Sequence, residues 1–523
     1  MANAPWSVNL ISNTGEQAAG LLGAPITLLF GPVTTYVALL TFAFSSSATA
    51  AYVLLRRWTR WRLAAFIGGA MYGFSPYMIG HGQAHLNLVL VPVPPLIICV
   101  LDQLLVRRRG RPEILGLLLA ALVVVQCFIS SEILTITAIV CVIGLVTAAV
   151  LAPASIVPSL GPLVRCGSVM FVALLALLAY PLWFGLHGAG HITGPIQLTP
   201  EGYRADLSAT VVPSPLQAIS PAWTRHLSAA FVSGDEGENG AYLGFPLLIL
   251  LLVTSVLLWR RRFIVRWAAI VLAACWLLSL GSRLTVSGVA SAKPTGGFPL
   301  PEALFNHIPL VMNLLPLRFT LFVGLFAGVL LAVAADALAA PSAEHSAAPS
   351  WRRWIALTVP VLSLIPLIPA LPYAATTIAT PAYFTSSAVD AVPPDSTVLL
   401  YPFPGYSVDN AAPMIWQADS FLRFRIVGGY FQVPKDDGRV TAGRTTATSD
   451  ALNNVYHGLP VPRSPAERRV VRAQLASWHV TVVLADPSGP AGRRGVSFLA
   501  WLVGRPPVLA HGVAAWYRTG FPS

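Results

Sequence analysis

The amino-acid sequence predicts an α-helical polytopic membrane protein of about ten transmembrane helices, followed by a small extracytoplasmic α/β domain. Three observations support this prediction, and two of them concern composition. Of the 523 residues, 55% are hydrophobic and only 10% are charged, whereas soluble domains carry about 25% charged residues. The third is a change of pattern along the chain. Long apolar runs recur as far as residue 372, and short strand and helix signals follow.

Ten apolar runs have the roughly 17–25 residues that a helix needs to cross a bilayer. They cover residues 33–55, 62–79, 87–106, 114–131, 133–152, 165–186, 241–259, 264–281, 318–339 and 354–372. We therefore expect a transmembrane domain over residues 1–372. Its two long external loops, 187–240 and 282–317, are rich in Pro, Trp, Tyr and Leu, so packed structure is expected in both.

Arginine clusters fall on one side of the predicted bundle. They are Arg56-Arg57 with Arg60 and Arg62, Arg107-Arg108-Arg109 with Arg111, Arg260-Arg261-Arg262 with Arg266, and Arg352-Arg353. The positive-inside rule makes that side cytoplasmic. Because ten is an even number of spans, both chain ends then lie on the outer side of the cell membrane. These arginines also account for the net charge of +12, so no nucleic-acid partner is expected.

Residues 373–523 predict the extracytoplasmic α/β domain. Buried strands are expected at 398–401, 479–484 and 513–517, and a helix at 464–477 with an N-terminal cap at Ser464. At the other end of the chain, residues 1–30 predict an external loop that enters the first helix without a preceding span. Because such an N-terminus seldom crosses a membrane unaided, we expect a first transmembrane helix upstream of this sequence.

The stretch from Tyr72 to Asn87 links two apolar runs and concentrates polar side chains beside the bilayer. They are His81, Gln83, His85 and Asn87. Two interpretations are equally weighted: these residues cap the outer helix ends, or they donate hydrogen bonds to an anionic or hydroxylated substrate. The four-residue spacing of the histidines suits a metal, but Gly82 replaces the Glu of the metalloprotease motif. No metal ligands are assigned on this basis, and a divalent cation (Mg²⁺ or Mn²⁺) is left open as a cofactor.

Glu132 lies between two apolar runs near Gln126, where a carboxylate can act as a general base or cation ligand. The alternative is that Glu132 only marks a short external loop. Arg318 opens a span from the outer side, against the charge bias, so it needs a partner. A substrate phosphate and the lipid headgroups are equally weighted as that partner.

Several short motifs resemble the GT-C class of polytopic membrane glycosyltransferases, particularly its bacterial, actinobacterial-looking and YfhO-like members. They are Phe74-Ser75-Pro76-Tyr77 with His81, His85-Leu86-Asn87-Leu88, Gln126 with Ser130-Ser131-Glu132, Gly240-Ala241-Tyr242-Leu243-Gly244, Leu317-Arg318-Phe319, and Leu400-Tyr401-Pro402-Phe403 with Gly428-Gly429-Tyr430. The resemblance implies transfer of a sugar, outside the membrane, from a polyprenyl-phosphate donor to an envelope glycan or lipid.

Within this resemblance, either Glu132 or an Asp upstream of this sequence serves as catalytic base. Arg318 with His81 and His85 binds phosphate, and the apolar helices hold the lipid. The family's first external loop usually carries an acidic residue just after the first helix, and here only Glu16 remains in that stretch. Two other functions compete: a transporter or flippase of a lipid-linked substrate, and a non-catalytic membrane scaffold. The predicted spans are nearly free of charge and the polar residues crowd the outer rim, which favours surface chemistry over passage.

Overall fold

The structure, a computed structural model, describes residues 2–13, 16–196, 200–231, 236–288, 299–309, 311–340, 350–373, 378–405 and 408–521. The helices of the N-terminal part are α1 (Gln17–Phe30), α2 (Pro32–Leu55), α3 (Arg62–Gly73), α4 (Pro76–His81), α5 (Leu86–Val89), α6 (Val93–Leu105), α7 (Pro112–Cys127), α8 (Ser131–Leu151), α9 (Pro153–Ile156), α10 (Leu160–His187), α11 (Ala222–Ser228), α12 (Phe245–Leu258), α13 (Phe263–Ser279), α14 (Thr320–Ala339) and α15 (Ser350–Ser363). The C-terminal part contains α16 (Ala382–Thr385), α17 (Val408–Asp419), α18 (Ala447–His457), α19 (Pro465–Ser477) and α20 (Gly489–Val503). Its strands are β1 (Thr397–Tyr401), β2 (Arg425–Ile426), β3 (Gln432–Pro434), β4 (Val440–Ala442), β5 (Val480–Ala485), β6 (Val508–Ala510) and β7 (Val513–Tyr517).

Five helical segments in the described ranges are long and apolar enough to cross a membrane. They are Pro32–Leu55, Leu86–Leu105, Ser131–Leu151, Val157–His187 and Pro316–Ala339. Four shorter apolar helices accompany them: Gln17–Phe30, Pro112–Cys127, Phe245–Leu258 and Phe263–Ser279. The chain is thus mostly helical with several candidate membrane helices, and the predicted count of about ten spans is not confirmed.

Three of the predicted spans are interrupted, and in the run 87–106 residues 90–92 separate α5 from α6. The run 62–79 divides into α3 and α4, because Pro76 lacks an N–H and disfavours helix at the residue before it. Ser75 caps the new helix, its hydroxyl accepting a hydrogen bond from the Met78 amide at 3.4 Å. The run 354–372 is helical only as far as Ser363. A single uninterrupted helix was the wrong prediction at all three places.

The prediction of an external loop as far as residue 30 is wrong for the segment that forms α1. This helix packs on α2 as a hairpin that turns at Gly31, and the hydroxyls of Thr27 and Thr35 lie 2.9 Å apart across it. With 14 residues α1 is shorter than a usual span, and Pro25 lies inside it. These two features explain why apolar length alone did not reveal the helix.

Helices α3 and α14 cross where both present a glycine. A Cβ at Gly68 would lie 2.4 Å from the Gly328 carbonyl oxygen, and a Cβ at Gly328 would lie 2.5 Å from the Gly68 oxygen. Small residues let helix backbones approach closely in a membrane, where apolar burial supplies little force between helices. The crossing places α14, buried over most of its length, at the centre of the bundle.

Two buried aspartates mark one end of the bundle, which we call the basic end. Asp102 pairs with Arg57 at 2.6 Å and Arg107 at 2.9 Å. Asp336 accepts hydrogen bonds from the backbone amides of residues 60 and 61 and lies 3.8 Å from Arg262. Three of the four arginine clusters therefore meet at one end, as the sequence predicts. The cytoplasmic assignment of this end stays a prediction.

The C-terminal part forms a five-stranded sheet in the order β2-β1-β5-β7-β6. Strand β1 is parallel to β2 and β5, whereas β7 is antiparallel to β5 and β6. Strands β1, β5 and β7 and helix α19 lie where the sequence predicts them, and Ser464 caps α19 by accepting from the Glu467 amide at 3.1 Å. The domain boundary at residue 373 and the outer location of this sheet stay predictions.

The first residues of the chain pair with the edge of this sheet. Ala4 forms a parallel bridge with Val427, and the Asn3 and Ala4 amides donate to the carbonyls of Gly428 and Ile426, both at 2.9 Å. Asn13 continues the contact by exchanging two hydrogen bonds with the Gln432 backbone, at 2.9 and 2.8 Å. The N-terminal segment is therefore a structural part of the C-terminal sheet.

Candidate functional site

A buried ion cluster lies at the end of the bundle opposite the basic end, which we call the site end. Arg318 sits in the short turn before α14 and is 4% exposed. Two of its guanidinium nitrogens bind the two carboxylate oxygens of Glu238, the second at 3.0 Å. A buried guanidinium needs such a bidentate partner to offset the loss of water. The partner of Arg318 in the structure is thus a protein carboxylate.

Glu132 adds a second carboxylate to the cluster. It lies at the start of α8, with one oxygen accepting from the Leu315 amide at 3.1 Å and the other 3.7 Å from the Arg318 Nε. The Glu132 side chain is 26% exposed, whereas that of Glu238 is 4% exposed. Glu132 is therefore the carboxylate of this pair that a substrate can reach.

Glycines bring the Glu238 loop against α4. A Cβ at Gly80 would lie 2.3 Å from the Gly237 carbonyl oxygen, and a Cβ at Gly240 would lie 2.7 Å from the Tyr77 Cα. No other residue type fits at these two contacts without moving backbone. The close approach places Glu238 within reach of both His81 and Arg318.

The two histidines lie beside the ion pair. His81 ends α4, its Nε2 is 3.0 Å from an Arg318 nitrogen, and its ring centroid is 5.8 Å from that of His85. Burial first, then the charges of Arg318 and His85, lower the pKa of His81 well below its usual value. His81 is therefore neutral near pH 7 and acts here as a hydrogen-bonding group, while Arg318 supplies the positive charge.

Four buried polar atoms around the cluster have no hydrogen-bond partner among the described residues. They are Tyr77 Oη, His81 Nδ1, Gln126 Oε1 and Arg318 Nε. An unsatisfied buried polar group costs about 1–3 kcal/mol, so native proteins retain few of them without a reason. Four at one place indicate that a polar ligand or ordered water completes the site.

His81, His85 and Glu238 also form a possible metal-ligand group, with their ligand atoms all within 4.8 Å of one another. Two imidazoles and one carboxylate do not suit Mg²⁺, which prefers oxygen ligands, and fit Mn²⁺ or Zn²⁺ better. However, Arg318 already contacts His81 Nε2 and Glu238, and its positive charge opposes a cation there. The fit to a divalent cation is thus incomplete.

The other predicted residues are spread around the cluster. Gln126 is fully buried, with its Nε2 3.4 Å from the Ser130 carbonyl oxygen. Asn87 is 4% exposed and its backbone N–H donates to Glu16 Oε1 at 3.0 Å. Gln83 is exposed on the turn between α4 and α5. Four predicted residues (His81, His85, Glu132 and Arg318) and Glu238 thus form the core of the site, and Gln126 and Asn87 flank it.

Glu238 and Glu16 were not predicted as site residues. The signal for Glu238 was available in principle, because a buried Arg requires a carboxylate and Glu238 lies two residues before the Gly240–Gly244 motif. Glu16 precedes α1, which was not recognised as a helix. Burial raises the pKa of Glu16, and the hydrogen bond from the Asn87 amide lowers it by a smaller amount.

Comparison with known proteins shows the family. A family model described as "Domain of unknown function (DUF6311)" matches residues 20–307, more than half of the chain, so the protein belongs to that family. A search of curated proteins finds no match. The resemblance to the YfhO-like group receives no support from these comparisons.

One solved structure similar to this chain is the arabinofuranosyltransferase AftD from Mycobacteria, determined by single-particle cryo-EM. The sequences are 13% identical and the TM-score is 0.48. The match covers 96% of this chain and 35% of that one, so this chain spans about a third of the AftD chain. A likeness this weak carries no argument about activity.

Proposed function

We propose that this protein is a membrane glycosyltransferase of the GT-C class. It transfers a sugar from a polyprenyl-phosphate donor to an envelope glycan or lipid on the outer face of the cell membrane. The observation that carries the proposal is the buried cluster of Arg318, Glu238, Glu132 and His81 at the end of apolar helices, with unsatisfied polar atoms around it.

The reaction needs a base, a stabilised leaving group and a place for the lipid. Glu132 takes the proton of the acceptor hydroxyl, whose oxygen then bonds to the anomeric carbon of the sugar. As this bond forms, the bond from that carbon to the donor phosphate oxygen breaks. Glu132 fits the role of base because its side chain is partly exposed, 3.7 Å from Arg318.

Arg318 stabilises the departing polyprenyl phosphate. Glu238 occupies two of its nitrogens. The Nε–H is the donor left for a phosphate oxygen, because it makes no hydrogen bond among the described residues and the Glu132 carboxylate lies 3.7 Å away. Glu238 fixes the plane of the guanidinium, which makes it a positioning residue. His81, which is neutral, and His85 donate hydrogen bonds to phosphate or sugar oxygens, and Gln126, Asn87 and Gln83 contact hydroxyl groups. No step passes through a metal.

The test is sugar transfer in nanodiscs from a radiolabelled polyprenyl-phosphate sugar to extracted envelope lipid. Glu132→Gln keeps the shape of the side chain and removes the base, so kcat should fall by about 10²–10⁴-fold with little change in KM. Arg318→Lys should also lower kcat, because an ammonium group cannot form the two parallel hydrogen bonds that the guanidinium donates to Glu238. Glu113→Gln, an exposed carboxylate outside the site, is the matched control and should leave transfer unchanged.

Two results would contradict the proposal. Transfer that survives both Glu132→Gln and Arg318→Lys would remove this cluster from the chemistry. Absence of transfer by the unaltered protein, together with movement of a fluorescent lipid-linked sugar between leaflets, would indicate a flippase instead. Adding EDTA, with and without Mn²⁺, to the same assay decides whether a divalent cation is required.

A further inference from the structure

An apolar pocket of about 650 Å³ lies at the basic end of the bundle, far from the site. Helices α6, α8 and α13 form its walls, and Phe326 of α14 contributes from the centre of the bundle. Its volume falls in the range of about 300–1,000 Å³ that is typical of sites for small molecules. The proposed transfer reaction gives this pocket no role.

Aromatic side chains make one wall of the pocket rigid. The Trp267 ring centroid lies 5.9 Å from that of Trp58 and 5.3 Å from that of Phe326, both in edge-to-face contacts. The indole N–H of Trp267 also donates to the Gly144 carbonyl oxygen at 2.8 Å. These contacts hold the pocket open without a polar group in its interior.

The lining residues of the pocket extend along most of the second half of α8. On α8 its lining residues run from Val140 to Ala148, and Ala152 follows just beyond the helix. At a rise of 1.5 Å per residue this stretch is roughly 18 Å long, about half of the hydrocarbon core. A long apolar chain fits this shape better than a compact ligand does.

Positive charge surrounds the mouth of the pocket. Arg108 and Arg266 both line it, and the buried Nε of Arg266 has no hydrogen-bond partner among the described residues. Asp102 also lines the mouth, but its carboxylate is already paired with Arg57 and Arg107. Arg108 donates from its Nε to the Ser159 hydroxyl at 3.3 Å, so Arg266 is the cation at the mouth whose Nε–H is left for an anionic group.

We propose that the pocket binds one anionic membrane phospholipid from the leaflet that faces the basic end. One acyl chain occupies the apolar interior, and the phosphate of the headgroup binds Arg266. A phospholipid meets both requirements at once, because its phosphate lies at the same depth as the helix ends and its chains extend into the hydrocarbon core. Basic pockets between helices on the cytoplasmic side of membranes bind such headgroups.

The experiment is native mass spectrometry of the delipidated full chain, titrated with phosphatidylglycerol, phosphatidylcholine or inorganic phosphate. The unaltered protein should retain one phosphatidylglycerol with an affinity at least about tenfold above that for phosphatidylcholine. Ala148→Phe fills the pocket and should abolish this retention. Ala138→Phe, the same change on the exposed face of α8 outside the pocket, should not.

Arg266→Gln should remove the preference for phosphatidylglycerol while chain binding persists. Arg261→Gln, at an exposed position outside the pocket, is its control. Equal retention by Ala148→Phe and Ala138→Phe would overturn the proposal, as would equal affinity for the two lipids. Displacement of phosphatidylglycerol by inorganic phosphate alone would show that the headgroup site needs no chain pocket. If Ala148→Phe does not elute as a single species, Ala152→Phe at the mouth tests the same pocket.

Discussion

Arg318 is the residue on which the site end depends, because it is the cation between two buried or partly buried carboxylates. Its side chain is 5% exposed and that of Glu238 is 4% exposed, so water screens neither charge well. His81, which contacts both Arg318 and Glu238, is neutral. Removing the guanidinium therefore leaves two carboxylates close together without a counter-charge.

We expect Arg318→Met to destabilise the protein by about 3–5 kcal/mol, since breaking a buried pair strands its partner charge. Glu238→Gln in the same chain should recover part of that loss, because it removes the stranded charge. Thermal or denaturant unfolding in detergent measures both variants. Strictly additive effects of the two changes would show that the pair is not coupled.

Glu16 gives a pH-dependent prediction with a defined sign. Burial raises its pKa above 4.5, so the native state holds this proton more tightly than the unfolded chain does, and ionising Glu16 lowers stability as the pH rises. Glu16→Gln keeps a side-chain oxygen that can accept the hydrogen bond from the Asn87 backbone N–H, and it removes the free-energy cost of ionising a buried carboxylate. The Tm of the variant should match the unaltered protein below pH 4.5. Above that pH it should exceed it, by a difference that grows until Glu16 is ionised in the folded state and is then constant.

Glu113→Gln, the same substitution at an exposed position, provides the baseline for this pH series. A variant at position 16 that is less stable near neutral pH would mean that the ionised carboxylate is itself stabilising.

At the scale of the secondary-structure elements, the crossing of α3 and α14 is a close backbone contact in the bundle core. Gly328→Ala should destabilise the protein by about 1–3 kcal/mol, because the new methyl group meets the Gly68 carbonyl oxygen and the helices must separate. Gly167→Ala on α10 has open space around its Cβ and is the matched control. It should be neutral or stabilise by up to about 1 kcal/mol through helix propensity. Equal Tm values for the two variants would refute the packing argument.

Apolar length and charge bias predicted the elements well where the backbone is regular. They located α2, α8, α10 and α14 within a few residues, and capping chemistry at Ser464 located α19. They failed where length and hydropathy carry no information, as in α1 and at the Ser75–Pro76 break. In the site, the position of polar residues beside apolar runs identified Arg318 and Glu132 as candidates. The pairing with Glu238 depends on tertiary approach through Gly80 and Gly240, which sequence spacing does not encode.

At the scale of the whole molecule, residues 2–13 connect the bundle to the C-terminal sheet. The Asn9 amide side chain donates to the Phe184 carbonyl oxygen at the end of α10, at 3.2 Å. Asn13 binds Gln432, and Trp6 packs edge-to-face on Trp478 with ring centroids 5.4 Å apart. One short segment therefore holds two parts of the protein together.

Asn13→Ala removes both hydrogen bonds to the Gln432 backbone. We expect faster amide hydrogen exchange in residues 2–13 and 430–434, with exchange in α14 unchanged, because only local opening becomes easier. Asn306→Ala at an exposed position is the matched control and should change neither segment. Uniformly faster exchange throughout the chain would indicate global destabilisation and contradict a local role.

The same segment has a consequence for biosynthesis. Asn13 and Gln432 are 419 positions apart, which at a translation rate of about 5–20 residues per second is roughly 20–80 s of synthesis. Throughout that interval the residues that will cover the edge strand β2 have emerged from the ribosome without the strand they pair with. Each nascent chain must therefore keep this segment from pairing elsewhere. When two ribosomes translate the same message, the newly made β2 edge of the more advanced chain lies beside the still unpaired N-terminal segment of the chain that follows it.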